Sequence, residues 1–265
     1  MIKEFELFQI IGMQPFHAVE GHFSFKAIKK IIKDAIPERF CISLYEFLKD
    51  GGILIPTFTY NFKKIVLESE KFDKLKTPSK VGVISDTFWR LTFAKRTSSP
   101  THSFAFAGKA FSDLDEKLNP NSPLGLESPL NYLFNLENSH IFLVGVNFTS
   151  LSFIHFLEVY YKVPYCDIFP WVNYGIYNIG ISVEGEIELK ETPGCSKSFF
   201  TLEEYAIKKG IINSIEIEGI KVYYFNVKEF AIKCDDFFNK CYENLLCDDQ
   251  LCSPCMYRRK KLKLM

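Results

Sequence analysis

The sequence predicts an α/β fold, a three-layer α/β/α sandwich with a mixed sheet in a single domain. Short apolar runs bounded by turn residues, which read as buried strands, alternate with stretches whose apolar positions recur at helical spacing. A chain of 265 residues that is 47% apolar, with 27 Phe, has ample material for a core and cannot be a disordered polypeptide. No repeat and no Gly/Ser- or Pro-rich linker divides it. The expected organisation is one domain over residues 1–246, followed by a Cys-containing basic tail at 247–265.

Along the chain, residues 23–36 place Ile28, Ile31, Ile32, Ala35 and Ile36 on one helix face, ended by Pro37. A second helix over about 40–49 stops at Gly51-Gly52. Ile53-Leu54-Ile55 follows as a buried strand and runs into the turn from Pro56 to Tyr60. Residues 140–146 form another buried strand, with a helix from about 150 to 162 after it. Residues 214–225 alternate apolar and polar around Glu218-Gly219, as a β-hairpin would. A long helix over 227–246 keeps its apolar positions on one face, and the basic run Arg258–Lys263 is expected to fray.

The 32 basic and 32 acidic side chains cancel, which argues against a nucleic-acid binder. No apolar stretch is long enough to span a bilayer, and residues 1–16 lack a signal peptide's basic start and cleavage site. A cytoplasmic protein with reduced thiols is expected.

Hydroxyl side chains gather at predicted strand ends: Thr57, Thr59, Ser98, Ser99, Thr101 and Ser103, with Arg96 beside them. Such groups and the adjoining backbone N–H groups can bind phosphate or carbonyl oxygens. Ordinary turn chemistry would give the same pattern, and spacing alone favours that plainer account. His155, in the first turns of a helix after a buried strand, would stand at the sheet's carboxyl edge, where α/β proteins place ligands. Glu158 shares its helix face and could orient the ring. A structural histidine among Phe153, Ile154, Phe156 and Leu157 is the plain alternative.

Four ordered segments are more specific together. They are residues 52–62; Phe72-Asp73 with 77–83, leading to Arg96–Ser103 and Gly108; Ser122–Leu130; and Leu143–Val146 with Thr149, His155 and Glu158. This set resembles the aminoglycoside 3-N-acetyltransferase family, densely over residues 50–165 and more thinly to about 245. The resemblance implies acyl transfer from acetyl-coenzyme A to an amino group of an aminoglycoside or amino sugar, in a ternary complex and without metal. It implies that His155 is the general base and that Glu188, or second Glu186, is its carboxylate partner. Thr57, Arg96, Ser98, Ser99, Thr101, His102 and Ser103 would contact coenzyme A, with loop N–H groups stabilising the oxyanion. Glu127, Glu158 and Glu186 would serve the acceptor.

Expected partners are coenzyme A and the amino-sugar acceptor, with room for a homodimer and with no nucleic acid or membrane. A nucleotide-linked amino sugar destined for a surface glycan is the alternative acceptor. The family's N-terminal His-Ser-Ser strand, expected ahead of residue 25, has no clear counterpart, which keeps open a non-catalytic binding protein on a decayed transferase fold. Cys247-x4-Cys252-x2-Cys255 has the spacing of thiolate metal sites, but no fourth ligand follows it, so no metal is assigned. Cys234 and Cys241 read as core.

Overall fold

The computed structural model describes residues 2–116, 118, 120–166, 171–191 and 194–263. In chain order the strands are β1 (Ala18–Phe23), β2 (Gly52–Pro56), β3 (Phe62–Lys64), β4 (Lys95–Arg96), β5 (Phe104–Ala107), β6 (Ser139–Val144), β7 (Ile176–Ser182), β8 (Gly185–Glu188), β9 (Ser214–Ile217) and β10 (Ile220–Asn226). The helices are α1 (Glu4–Ile10), α2 (Phe25–Ile31), α3 (Pro37–Leu48), α4 (Val83–Phe88), α5 (Pro129–Asn135), α6 (Phe153–Tyr160), α7 (Phe200–Lys208), α8 (Val227–Lys233), α9 (Asp235–Lys240) and α10 (Ser253–Leu262).

β1 pairs in parallel with both β2 and β6, and antiparallel strands extend the sheet on either side. The result is a seven-stranded mixed sheet in the order β4-β5-β2-β1-β6-β10-β9. Helices cover both faces, which is why β2 and β6 read as continuous apolar runs. Successive side chains still divide between the faces. Ile53, Ile55, Phe142 and Val144 join the core under α1–α4, while Leu54, Ile141 and Leu143 join the core under α5–α9. Gly145 turns the chain out of β6 with φ 63°, and a Cβ there would lie 2.0 Å from that of Ala27. Only glycine permits both the conformation and the approach.

The α/β/α sandwich and mixed sheet match the expectation, with three differences in detail. Residues 176–188 and 62–64 form a separate three-stranded sheet, in the order β3-β7-β8. The expected 227–246 helix divides at Cys234 into α8 and α9. Its apolar spacing persists because Phe230, Ala231, Phe237 and Phe238 all pack on one core, while Asp235 and Asp236 favour a fresh helix N-terminus. Finally, the basic tail does not fray. Residues Ser253–Leu262 form α10, with Pro254 in its first turn and Pro254, Cys255 and Arg258 buried. Among the described residues, no helix is long and apolar enough to cross a membrane.

The Arg258 guanidinium lies 5.0 Å from the centre of the Tyr165 ring, which is fully buried. Removing residues 256–265 deletes this contact, worth about 2 kcal/mol when desolvated. Calorimetry should show a fall in Tm of about 4–8 °C for that truncation. An unchanged Tm would mean that α10 is not part of the packed structure.

Candidate active site

The carboxyl ends of β1, β2 and β6 open into one cleft of about 450 Å³. Their outgoing loops splay apart there, leaving space that a packed sheet interior cannot offer. Gly21, His22 and Phe23 arrive from β1, and Pro56, Phe58, Tyr60 and Phe62 from the chain after β2. Val146 and residues 149–152 come from the loop after β6. Trp171 stacks on Phe62, with ring centres 6.2 Å apart, and completes an aromatic wall. Tyr60 in that wall holds φ at 53°, a left-handed conformation costly for a bulky residue.

His155 lines this cleft from the first turn of α6, with 11% of its side chain exposed. Its Nδ1 lies 2.7 Å from Oε2 of Glu158, three residues on and on the same helix face. Glu158 is itself buried, and its Oε1 accepts a hydrogen bond from the Tyr165 hydroxyl at 2.8 Å. A carboxylate only accepts, so in a neutral ring this contact puts the proton on Nδ1 and leaves the lone pair on Nε2. The Phe199 ring, 4.7 Å from that of His155, closes another side.

The expected pairing of His155 with Glu188 is therefore corrected. Glu188 is exposed on β8, and Glu186 forms an ion pair with Lys63 at 2.8 Å, on the outside of the small sheet. These alternating acids make a solvated strand face. Glu127 is likewise exposed and pairs with Lys190, away from the cleft lining.

The hydroxyl-rich loops also differ from expectation, because they bind each other. Thr57 Oγ1 donates to the Ser103 carbonyl at 3.0 Å, and Ser103 Oγ donates to the Thr57 carbonyl at 2.8 Å. Ser98 Oγ donates to the Glu116 carbonyl, and Ser99 Oγ accepts from the His102 N–H. The N–H groups of Thr57, Thr59, Tyr60 and Ser98 already serve carbonyls, so they are not open to an oxyanion. Arg96 is buried among these residues. Its Nη1 reaches the Thr77 carbonyl at 2.6 Å, its Nη2 the Thr57 carbonyl at 2.8 Å, and its Nε the Ser103 hydroxyl at 3.1 Å. Burial pulls its pKa down to about 10, which still leaves it charged near neutral pH. A guanidinium so enclosed braces the loops and has no donor turned to the cleft.

Of the expected coenzyme A contacts, His102 alone lines the cleft. Its Nδ1 is 3.0 Å from Thr101 Oγ1, and its ring meets Phe58 edge-on at 4.7 Å. Burial, with a smaller contribution from nearby His155, pushes its pKa down to about 3, so the ring is neutral.

A second histidine–carboxylate pair escaped the sequence reading. His22 Nε2 lies 2.9 Å from Glu20 Oε1, which also accepts from Ser152 Oγ at 3.3 Å. Glu20 Oε2 is buried and has no hydrogen-bond partner among the described residues. Glu20-Gly21-His22 occupies the central strand ahead of residue 25, the place expected for the His-Ser-Ser strand. The available signal was a charged residue two before a histidine, inside an otherwise apolar six-residue stretch.

Fold and site define an α/β protein with a carboxylate-held histidine at the carboxyl edge of its parallel strands. Residues 22–238 match the family model described as aminoglycoside 3-N-acetyltransferase, and the chain belongs to that family. It is 30% identical over 158 residues to aminoglycoside N(3)-acetyltransferase IV from Salmonella sp, a stretch covering 58% of this chain and 57% of the relative. The chain thus spans little more than half of that relative's length. The fold is similar to the crystal structure of aminoglycoside acetyltransferase AAC(3)-IVa as apoenzyme, with a TM-score of 0.74, 22% identity, and 97% of this chain and 96% of that one covered. It is also similar to AAC-IIIb in a binary complex with CoASH, with a TM-score of 0.72, 12% identity, and 91% and 97% covered.

The depressed His102 pKa makes a stability prediction. Below about pH 6.5 the unfolded chain takes up a proton here that the folded chain refuses until about pH 3. Stability should therefore fall as pH drops through that window, by ~1.4 kcal/mol per unit from this group. His102→Gln removes the contribution, so urea unfolding of the variant should lose less stability between about pH 6 and pH 4 than the parent does. Equal losses would show that His102 protonates freely in the fold.

Proposed function

We propose that the protein is an N-acetyltransferase that moves the acetyl group of acetyl-coenzyme A to an amino group of an aminoglycoside, with His155 as general base. The observation that carries this reading is the hydrogen-bonded chain from Tyr165 through Glu158 to His155, which ends at the cleft. Membership of the family supports the reaction class, and a fold neighbour with CoASH bound supports the donor.

In the proposed ternary complex the acceptor ammonium yields one proton to Nε2 of His155 as its nitrogen attacks the thioester carbonyl carbon. The new C–N bond forms a tetrahedral oxyanion. When the carbonyl reforms, the C–S bond breaks and coenzyme A leaves as thiolate, taking the first proton back from the imidazolium, while the nitrogen's surplus second proton passes to solvent and leaves the neutral amide. Glu158 stabilises the imidazolium in the interval, because its carboxylate is already on Nδ1. The neutral His102 and the aromatic wall line the cleft beside His155 and set no competing charge next to the reacting atoms.

One observation favours a second acceptor. The cleft lining, among the described residues, is aromatic and aliphatic with serine, threonine and histidine, and it contains no carboxylate. A polycation gains most from acidic walls, whereas an amino sugar linked to a nucleotide gains from aromatic stacking. Thiol release from acetyl-coenzyme A, measured over both acceptor classes, separates them. Calorimetry showing no coenzyme A binding would instead identify a decayed, non-catalytic member of the family.

His155→Ala should lower kcat by roughly 100- to 10,000-fold, the contribution of a positioned proton acceptor, while the variant stays folded at the assay temperature with a Tm lowered only by the loss of one donor to Glu158. Glu158→Gln should lower it less, and the double variant should be barely slower than His155→Ala because the two act as a unit. Near-parental turnover with a Tm lowered by many degrees would make His155 a structural residue.

A further inference from the structure

The described part of the chain brings four thiols together outside the cleft. Cys247, Cys252 and Cys255 come from the turn before α10 and its first residues, and Cys195 from the loop ahead of α7. Their Sγ atoms all lie within 4.8 Å of one another. Cys195 and Cys247 are 3.7 Å apart, well beyond the ~2.05 Å of a disulfide, and all four are free cysteines. We propose that this cluster is a structural zinc site, a closed tetrathiolate that ties the C-terminal helix to the loop leading into the cleft.

The geometry and the donor chemistry both point there. Four sulfurs at ~2.3 Å around a tetrahedral zinc are about 3.8 Å apart, close to the observed Cys195–Cys247 separation. Four soft donors with no carboxylate or imidazole select a soft divalent ion over magnesium or calcium. A complete set of protein ligands leaves no position for water, so the role is structural.

The surroundings suit the negative charge such a centre carries. The Cys247 N–H donates to Cys255 Sγ and the Lys197 N–H to Cys195 Sγ, each at 3.3 Å. Such bonds stabilise thiolates and fix their direction. Cys255 sits in the first turn of a ten-residue helix, whose N-terminal N–H groups favour an anion. Cys247, Cys252 and Cys255 are buried, so without a metal the four thiols would pack sulfur to sulfur with only these two backbone donors to direct them.

The connection reaches the cleft. Gly194 and Ser196, on either side of Cys195, are cleft residues. A Cβ on Gly194 would lie 2.0 Å from Nη1 of Arg258, so loop and helix are in close contact. The tail spacing alone was incomplete because its fourth ligand is supplied from 52 residues upstream.

The test is elemental analysis of the full-length protein, purified without chelator and without a metal-affinity step. About one zinc per chain is expected, with four more of the eight cysteines reactive towards a thiol reagent after the zinc is stripped than before. Stripping should lower Tm, and added zinc should restore it. Cys195→Ser should lose most of the bound zinc, whereas Cys241→Ser should retain it. Parental protein without zinc that takes none up, a disulfide among these cysteines, iron in place of zinc, or full zinc in Cys195→Ser would each overturn the assignment. The parental measurement decides even if Cys195→Ser fails to fold.

Discussion

A carboxylate taken out of water must have donors on its oxygens, and Glu158 meets that demand with His155 on one side and Tyr165 on the other. Much of the site's geometry follows from this requirement. Desolvating the ion costs several kcal/mol, and the two hydrogen bonds, with the Arg258 cation close behind Tyr165, offset that cost. The imidazole is thereby held in one orientation before any substrate arrives. The same requirement draws in parts of the chain far from the cleft. Tyr165 lies beyond the end of α6 and Arg258 lies on α10, so the helix formed by the basic tail buttresses His155 from behind.

A second buried charge organises the opposite wall. Among the described residues no carboxylate is bonded to Arg96, which is held by the carbonyls of Thr57, Thr77 and Lys74. Its guanidinium also lies over the Trp89 and Phe72 rings, at 4.6 and 5.1 Å. Carbonyl dipoles and ring faces can stabilise a cation in place of a counter-ion. The hydroxyls around it complete the cage, and Phe58, Tyr60 and His102 are presented to the cleft from a rigid base. Pre-organisation of this kind serves catalysis without any ligand contact by the bracing residues.

Much of this was legible in the sequence. The alternation of apolar runs with helical periodicity gave the layered class, and His155 was readable because a helix after a buried strand reaches the sheet's carboxyl edge. Its carboxylate was legible in the i, i+3 spacing to Glu158, yet the resemblance drew the assignment to Glu188. Strand alternation accounts for Glu186 and Glu188 as a wet face. Arg96 and the threonines were misplaced because a hydroxyl that binds a neighbouring loop and one that binds a phosphate look alike along a chain. The difference depends on which carbonyls lie opposite, and that is set by long-range pairing of residues 57–61 with 100–103. Glu20-Gly21-His22 stayed hidden because polar residues in a short stretch argue against a central strand, and only the fold shows that they pair with each other. The helix break at Cys234 left no gap in the apolar pattern, since both halves rest on the same core.

The central claim is that Glu158 fixes the tautomer of His155, so that the unprotonated nitrogen is the one offered to the acceptor. Side-chain 15N correlation spectra of histidine-labelled protein report this directly, because protonated and bare ring nitrogens have distinct shifts. With the ring neutral, the account predicts the His155 proton on Nδ1 and a lone pair on Nε2, with that preference weakened in Glu158→Ala. A neutral ring carrying its proton on Nε2, unchanged when Glu158 is replaced, would contradict it.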